Sequence, residues 1–183
     1  MPVCWIVLAL ACASKPPGVV TPAAAADVIG VVDQVAEALP AWQGFATYEP
    51  RPSIVVMPTE NHTKFDVDTT LATTKLVNEL IQVSGSQFDV VDPEAWTARQ
   101  AAVAEAEAAA TKKKKEEPEA AATSFLLLHS ELRTTTTDAG DGRPATHVLV
   151  SYRLVEQDTD RAVWASDFEW TRVKGKDGYE PVP

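Results

Sequence analysis

The side chains best able to do chemistry in this 183-residue chain are three histidines, two cysteines and a scatter of aspartates. A metal site needs two or more donors a few residues apart on one element, so that they meet at one ion. His62, His129 and His147 have no such neighbour, and no metal centre is expected. Asp66, Asp68, Asp89 and Asp92 fall near expected strand ends, where two carboxylates could share acid–base work. Asp68 and Asp92, however, stand where helices begin and are explained as N-caps. Asp138 and Asp141, spaced by Gly140 and Gly142, have the composition of a cation loop but not the EF-hand spacing or its closing glutamate, so they read as a turn. No Gly-x-Ser-x-Gly elbow, phosphate loop or Gly-x-Gly-x-x-Gly occurs. The expectation is a protein without catalytic residues, cofactor or small-molecule substrate.

The two cysteines lie together in the first apolar stretch, so the body of the chain has no disulfide framework and no thiol. That stretch, residues 3–13, is about half the roughly 20 residues a helix needs to span a bilayer, and it fits the hydrophobic region of a signal peptide. Leu8-Ala9-Leu10-Ala11-Cys12 resembles a bacterial lipobox, although Ala9 and Leu10 invert the usual large-then-small order. The resemblance implies a thioether-linked lipid on Cys12 and cleavage just before it. Each buried methylene contributes roughly 0.8 kcal/mol, so two or three acyl chains anchor almost permanently. Ala13, in place of aspartate, fits sorting to the outer membrane.

Lys plus Arg is 16 against 26 Asp plus Glu, a formal charge of −10. Nucleic-acid binding needs cations clustered on one face, and the one basic run, Lys112 to Lys115, is followed at once by Glu116, Glu117 and Glu119. No nucleic-acid partner is expected.

The chain divides into a signal peptide (residues 1–11), a Pro- and Ala-rich linker (12–26), one α/β domain (27–172) and a polar tail (173–183). At roughly 3.3 Å per residue the linker reaches about 45 Å. Val28, Val31, Val32, Val35 and Leu39 repeat every three or four residues, predicting a helix with Asp27 as N-cap. Ile54-Val55-Val56-Met57 between prolines predicts a buried strand. A second helix follows from Asp66 or Asp68 to about Val83, its buried stripe Ala72, Leu76, Leu80 and Val83, with Gly85 beyond its end. Phe88-Asp89-Val90-Val91 predicts another strand, and Asp92-Pro93 starts an alanine-rich helix. A strand from Phe125 to Leu132, a polar hairpin loop from Thr134 to Gly142, and two alternating strands around Val148–Leu154 and Ala162–Phe168 complete the order. Trp164 and Trp170 read as sheet-face aromatics, or as binding anchors if exposed. The fold class is a small mixed α/β sheet of four to five strands flanked by helices, with a C-terminal β-meander.

Two stretches carry a resemblance to the LpoB family, lipoprotein activators of penicillin-binding proteins. The first runs from Ser53-Ile54-Val55-Val56-Met57 through Thr59-Glu60-Asn61-His62-Thr63 to Phe88-Asp89-Val90-Val91; the second from Ser124-Phe125-Leu126-Leu127-Leu128 to Trp164-Ala165-Ser166. The closing hairpin also resembles TolB N-terminal and CsgG-type domains. Asp160 stands where the family has a turn glycine, and residues 112–119 interrupt a region where it has a short helix. The resemblance implies a TolB N-terminal-like fold without catalytic residues or cofactor. It also implies an outer-membrane lipoprotein that faces the periplasm and stimulates a bifunctional peptidoglycan synthase by contact with its docking domain. The alternative it leaves open is a CsgG- or TolB-like structural or secretion-associated lipoprotein that self-assembles or joins an envelope complex.

Overall fold

A computed structural model describes residues 25–110, 124–175 and 178–181. The lipobox-like Cys12, the linker up to residue 24 and the charged run at 112–119 lie outside these residues. Three helices, α1 (Ala25–Ala38), α2 (Thr69–Val83) and α3 (Pro93–Ala110), accompany seven strands. The strands are β1 (Ser53–Val56), β2 (Glu60–Asn61), β3 (Asp89–Val91), β4 (Phe125–Asp138), β5 (Pro144–Glu156), β6 (Ala162–Lys174) and β7 (Tyr179–Pro181). They form one mixed sheet in the order β3-β1-β4-β5-β6-β7, with β2 beside β4. The α/β class is as expected. The strand count is higher because two very short strands, β2 and β7, carry no periodic signal of their own.

Side chains alternate across a strand. On β4 the even positions Leu126, Leu128, Ser130 and Leu132 point inward, and antiparallel register carries the inner set to Val148, Val150, Tyr152 and Leu154 of β5. These pack with Ile54 and Val56 of β1 beneath two helices: Val28, Val31, Val32 and Val35 from α1, and Ala72, Leu76 and Leu80 from α2. Each such side chain contributes roughly 1.5–3 kcal/mol when buried. Val83, expected in the same stripe, is 40% exposed because it falls off that face at the last turn. Odd positions of β4 point to the other, outer face. There α3 covers one end: Trp96 is buried with its ring 4.7 Å from that of Phe125, and the Arg99 guanidinium lies 4.9 Å over the same ring.

The helix ends follow local chemistry. Asp68 Oδ1 accepts the Leu71 amide at 2.9 Å, and Asp92 Oδ1 accepts those of Glu94 and Ala95 at 2.8 and 3.3 Å. Gly85 follows α2 with φ +54°, a conformation favouring glycine. Asp27 differs from expectation. The helix begins two residues earlier, and Asp27 accepts instead from Arg172 Nη2 of β6 at 2.7 Å, tying α1 to the sheet.

Two polar segments are built into the sheet. Thr134 to Thr137, read as loop, continue β4 and pair with Val148 to Ala145. Threonine is β-branched and suits a strand when a partner is present. The stretch read as a polar tail extends β6 to Lys174 and returns as β7, pairing Lys174 with Tyr179. The Tyr179 ring stands 6.3 Å from Phe65 in the loop before α2, so the sheet curls across its inner side and the outer face is convex.

The β5–β6 turn is held by Glu156. Its carboxylate accepts from Tyr48 Oη at 2.8 Å, Thr159 Oγ1 at 2.7 Å and Arg161 Nη2 at 2.8 Å. Bonds from Arg161, then Thr159 and Tyr48, hold its pKa at about 2, well below the ordinary 4.5. Burial and the Glu156 bond push the Tyr48 hydroxyl up to about 12. Asp160 sits in this turn at φ +53°, which aspartate tolerates better than most residues.

Leu76→Ala is expected to cost about 2–5 kcal/mol in urea unfolding, whereas Ile81→Ala, at a position 55% exposed on the same helix, should stay within about 0.5 kcal/mol. The lowered Glu156 pKa means that its contribution is complete above pH 4.5 and disappears as pH falls towards about 2. Acid titration of stability should therefore be steeper for the wild-type chain than for Glu156→Gln across that window. Equal slopes would refute the clamp.

Candidate docking face

Beyond the end covered by α3, the outer face of β4, β5 and β6 carries no described helix. Its residues follow from alternation and register: His129, Glu131 and Arg133 on β4; Arg153, Ser151 and Leu149 on β5; Ala165, Asp167 and Glu169 on β6. His129, Arg133, Arg153, Asp167 and Glu169 are exposed, and Ser151 is buried between its neighbours. Arg133 Nη2 donates to Glu131 Oε2 at 2.9 Å. Cations thus concentrate on β4 and β5, and carboxylates on β6.

A shallow cavity of about 250 Å³ lies on this face, lined by Pro58 and Glu60 beside β4, by His129 and Glu131, and by Ser151, Arg153 and Val155 of β5. The two-residue β2 creates its wall by pairing Glu60 with Glu131 in parallel. Behind it, Ser130 Oγ lies 2.8 Å from Thr59 Oγ1, which is 3.1 Å from Thr73 Oγ1 of α2. This hydroxyl chain ties the β1–β2 connection to both sheet and helix. Its own polar groups are satisfied internally.

The histidines remain apart. His62 Nε2 pairs with Glu60 at 2.9 Å, His129 stands on the open face, and His147 lies between two hydroxyls, Thr137 at 2.9 Å and Thr171 at 2.8 Å. Among the described residues no three His, Cys, Asp or Glu side chains gather around a point that could hold a metal ion. The four aspartates of a conceivable acid–base pair are also separated. Asp68 and Asp92 cap helices, Asp89 Oδ2 takes Arg51 Nε at 3.0 Å, and Asp66 is exposed. Asp138 Oδ1 accepts the amides of Gly140 and Gly142 at 2.7 and 3.2 Å. Asp141 accepts the amide and Nε of Arg143, which lower its pKa, and both carboxylates are consumed by the turn.

Sequence reasoning did not single out Arg133, Glu131, Arg153, Asp167 or Glu169. The signal was present: period-two alternation on three consecutive strands places each of them opposite the apolar set. What it lacked was the length of β4 and the reach of α3.

These features define a class: a two-helix-on-sheet α/β domain whose outer face is polar and, at one end, uncovered by any described helix. The chain belongs to the peptidoglycan-synthase activator LpoB family, whose model matches residues 29–169. No curated protein matches it by sequence. Among solved structures it is similar to the LpoB C-terminal domain from Escherichia coli, with 17% identity over 78% of this chain and 97% of that one, at a TM-score of 0.41. It is also similar to lipoprotein GNA1162 from Neisseria meningitidis, with 19% identity over 67% and 83% of the two chains, at a TM-score of 0.36. Among the described residues no helix is long and apolar enough to cross a membrane.

Proposed function

We propose that this chain is a lipid-anchored, non-catalytic envelope protein that binds the docking domain of a class A penicillin-binding protein and stimulates its glycan polymerisation. The family membership over residues 29–169 carries this reading. The open convex face supports it, because its charged groups are exposed and its turn carboxylates are consumed by structure. In this reading Cys12 bears the lipid, residues 1–11 are removed, and the anchor sits in the outer membrane facing the periplasm. The domain makes contact through the cationic part of its outer face, Arg133 and Arg153.

The test is a glycan-polymerisation assay with the cell's own class A synthases. The wild-type chain should accelerate at least one of them and be retained by it. Arg133→Glu with Arg153→Glu should lower stimulation about tenfold or more, the scale expected when charge reversal meets a complementary surface. Both residues are exposed, so thermal stability should hardly change. No stimulation of any synthase by the wild-type chain would reject the reading. Separately, mass spectrometry of the mature protein should find its first residue to be an acylated Cys12. An unmodified thiol there would remove the anchor from the proposal.

A further inference from the structure

A second cavity, of about 310 Å³, lies where the chain enters β1 and β3, and its walls include Trp42, Gln43, Tyr48, Arg51 and Gln87. Cavities that take small ligands run from roughly 300 to 1,000 Å³, so this one suits a ligand of about one ring. Its aromatic wall follows from the way the chain leaves α1. The Trp42 amide donates to the Leu39 carbonyl at 3.0 Å, and a single 3₁₀ turn, Gln43–Thr47, closes with the Tyr48 amide on the Phe45 carbonyl at 3.2 Å. The Trp42 indole lies directly against Gly44, where a Cβ would stand 2.0 Å from the ring, so only glycine leaves it that space. Trp42 meets Phe45 edge-on at 4.8 Å between centroids and stands 6.5 Å from the Tyr48 ring. Phe45 is buried against Phe88, and Glu156 holds the Tyr48 hydroxyl. Trp42 and Tyr48 are themselves only half-buried, so two positioned rings meet solvent here.

The rest of the wall is polar. Gln43, Ser86 and Gln87 are exposed, and each side chain can both donate and accept hydrogen bonds. Arg51 is the one ionised group among the described residues that line the cavity. Asp89 accepts from its Nε and Nη2, which leaves Nη1 to donate and cancels the local charge.

We propose that this cavity binds a neutral saccharide ring, packed on Trp42 and Tyr48 and hydrogen-bonded by Gln43, Gln87 and Arg51. A sugar offers a rim of hydroxyls that donate and accept, and an apolar C–H face that suits the electron-rich face of an aromatic ring. The other ligand classes fit less well. An apolar ligand would strip water from two amides, a hydroxyl and a guanidinium without replacing their hydrogen bonds. An anion would find the one cation already neutralised by Asp89, and a cation would meet that guanidinium beside the rings. A proline-rich peptide also uses aromatic grooves, but its prolines carry no N–H for the glutamine carbonyls. The cavity shares no residue with the outer face of Arg133 and Arg153, so the inference goes beyond the docking reading and does not depend on it.

The experiment titrates the full chain, labelled with nitrogen-15, with three neutral disaccharides: N,N′-diacetylchitobiose, cellobiose and maltose. Toluene and decaproline are titrated alongside. At least one disaccharide should shift the Trp42 indole N–H and the Gln43 and Gln87 side-chain amide signals, with a Kd of about 1 mM or tighter. Gln43→Ala with Gln87→Ala should weaken that binding about tenfold, the scale of two lost hydrogen bonds. Both glutamines are exposed, so the thermal melt of this double variant should hardly move. Trp42→Ala should abolish binding, its backbone amide spectrum checking the fold. Arg133→Glu with Arg153→Glu should leave saccharide binding unchanged; a loss there would put the sugar on the outer face and overturn the proposal. So would silence with all three disaccharides, an equal or stronger response to toluene or decaproline, or saccharide binding that survives the glutamine double variant at full strength. Synthase stimulation, measured separately, stands or falls without reference to these shifts.

Discussion

The parallel pairing of β1 with β4 is the main join between the two halves of this domain, with β2 adding two residues beside β4. β1 lies in parallel against β4, with Ser53 opposite Phe125 and Val56 opposite Leu128. The segments before it and between the two strands pack around this join, and α1 and Tyr48 are tied to the far strands as well, by Asp27 to Arg172 and by Tyr48 to Glu156. A parallel pair cannot be closed by a tight turn and needs a long crossover. Here that crossover contains β2, both later helices and β3. Ile54, Val55 and Val56 are fully buried on both faces of the sheet. This central strand therefore reads as an unbroken β-branched run, while the strands beyond β4 alternate.

The asymmetry of the two faces follows. The inner face is covered by two amphipathic helices and sealed by the curl that brings Phe65 to Tyr179. Among the described residues the outer face receives the first turns of α3, anchored by Trp96; Ala101 to Glu105 are exposed. Three long antiparallel strands then extend beyond the cover of the described helices. Antiparallel sheets tolerate one solvated face, and that tolerance provides a broad polar surface. Surface charge is free to vary there without disturbing the core.

Polar residues near this surface sort into those spent on structure and those left over. Glu156, Asp141, Asp138, Asp68 and Asp92 each accept two or more internal hydrogen bonds or cap a helix. Their spacing in the chain resembles functional clusters, and their geometry explains why they are not. Arg153, Asp167 and Glu169 sit in plain alternating sequence and attract no notice, yet they are exposed on the outer face of the sheet. Isolation in sequence is therefore a poor guide to availability in this fold, because turns and caps consume the conspicuous carboxylates first.

The sequence by itself determined the helices, the buried strands and the α/β class, because periods of 3.6 and 2 and the Asp-Pro and Gly85 punctuation are local properties of the chain. It also carried the two stretches that resemble the family. Only the tertiary structure decided that Thr134 to Thr137 are strand, that Asp27 pairs with Arg172 instead of capping α1, and that the chain after Arg172 returns as β7. Each depends on a partner dozens of residues away or on a neighbouring strand's register, and threonine, aspartate and glycine-flanked tyrosine have no strong preference until that partner is in place.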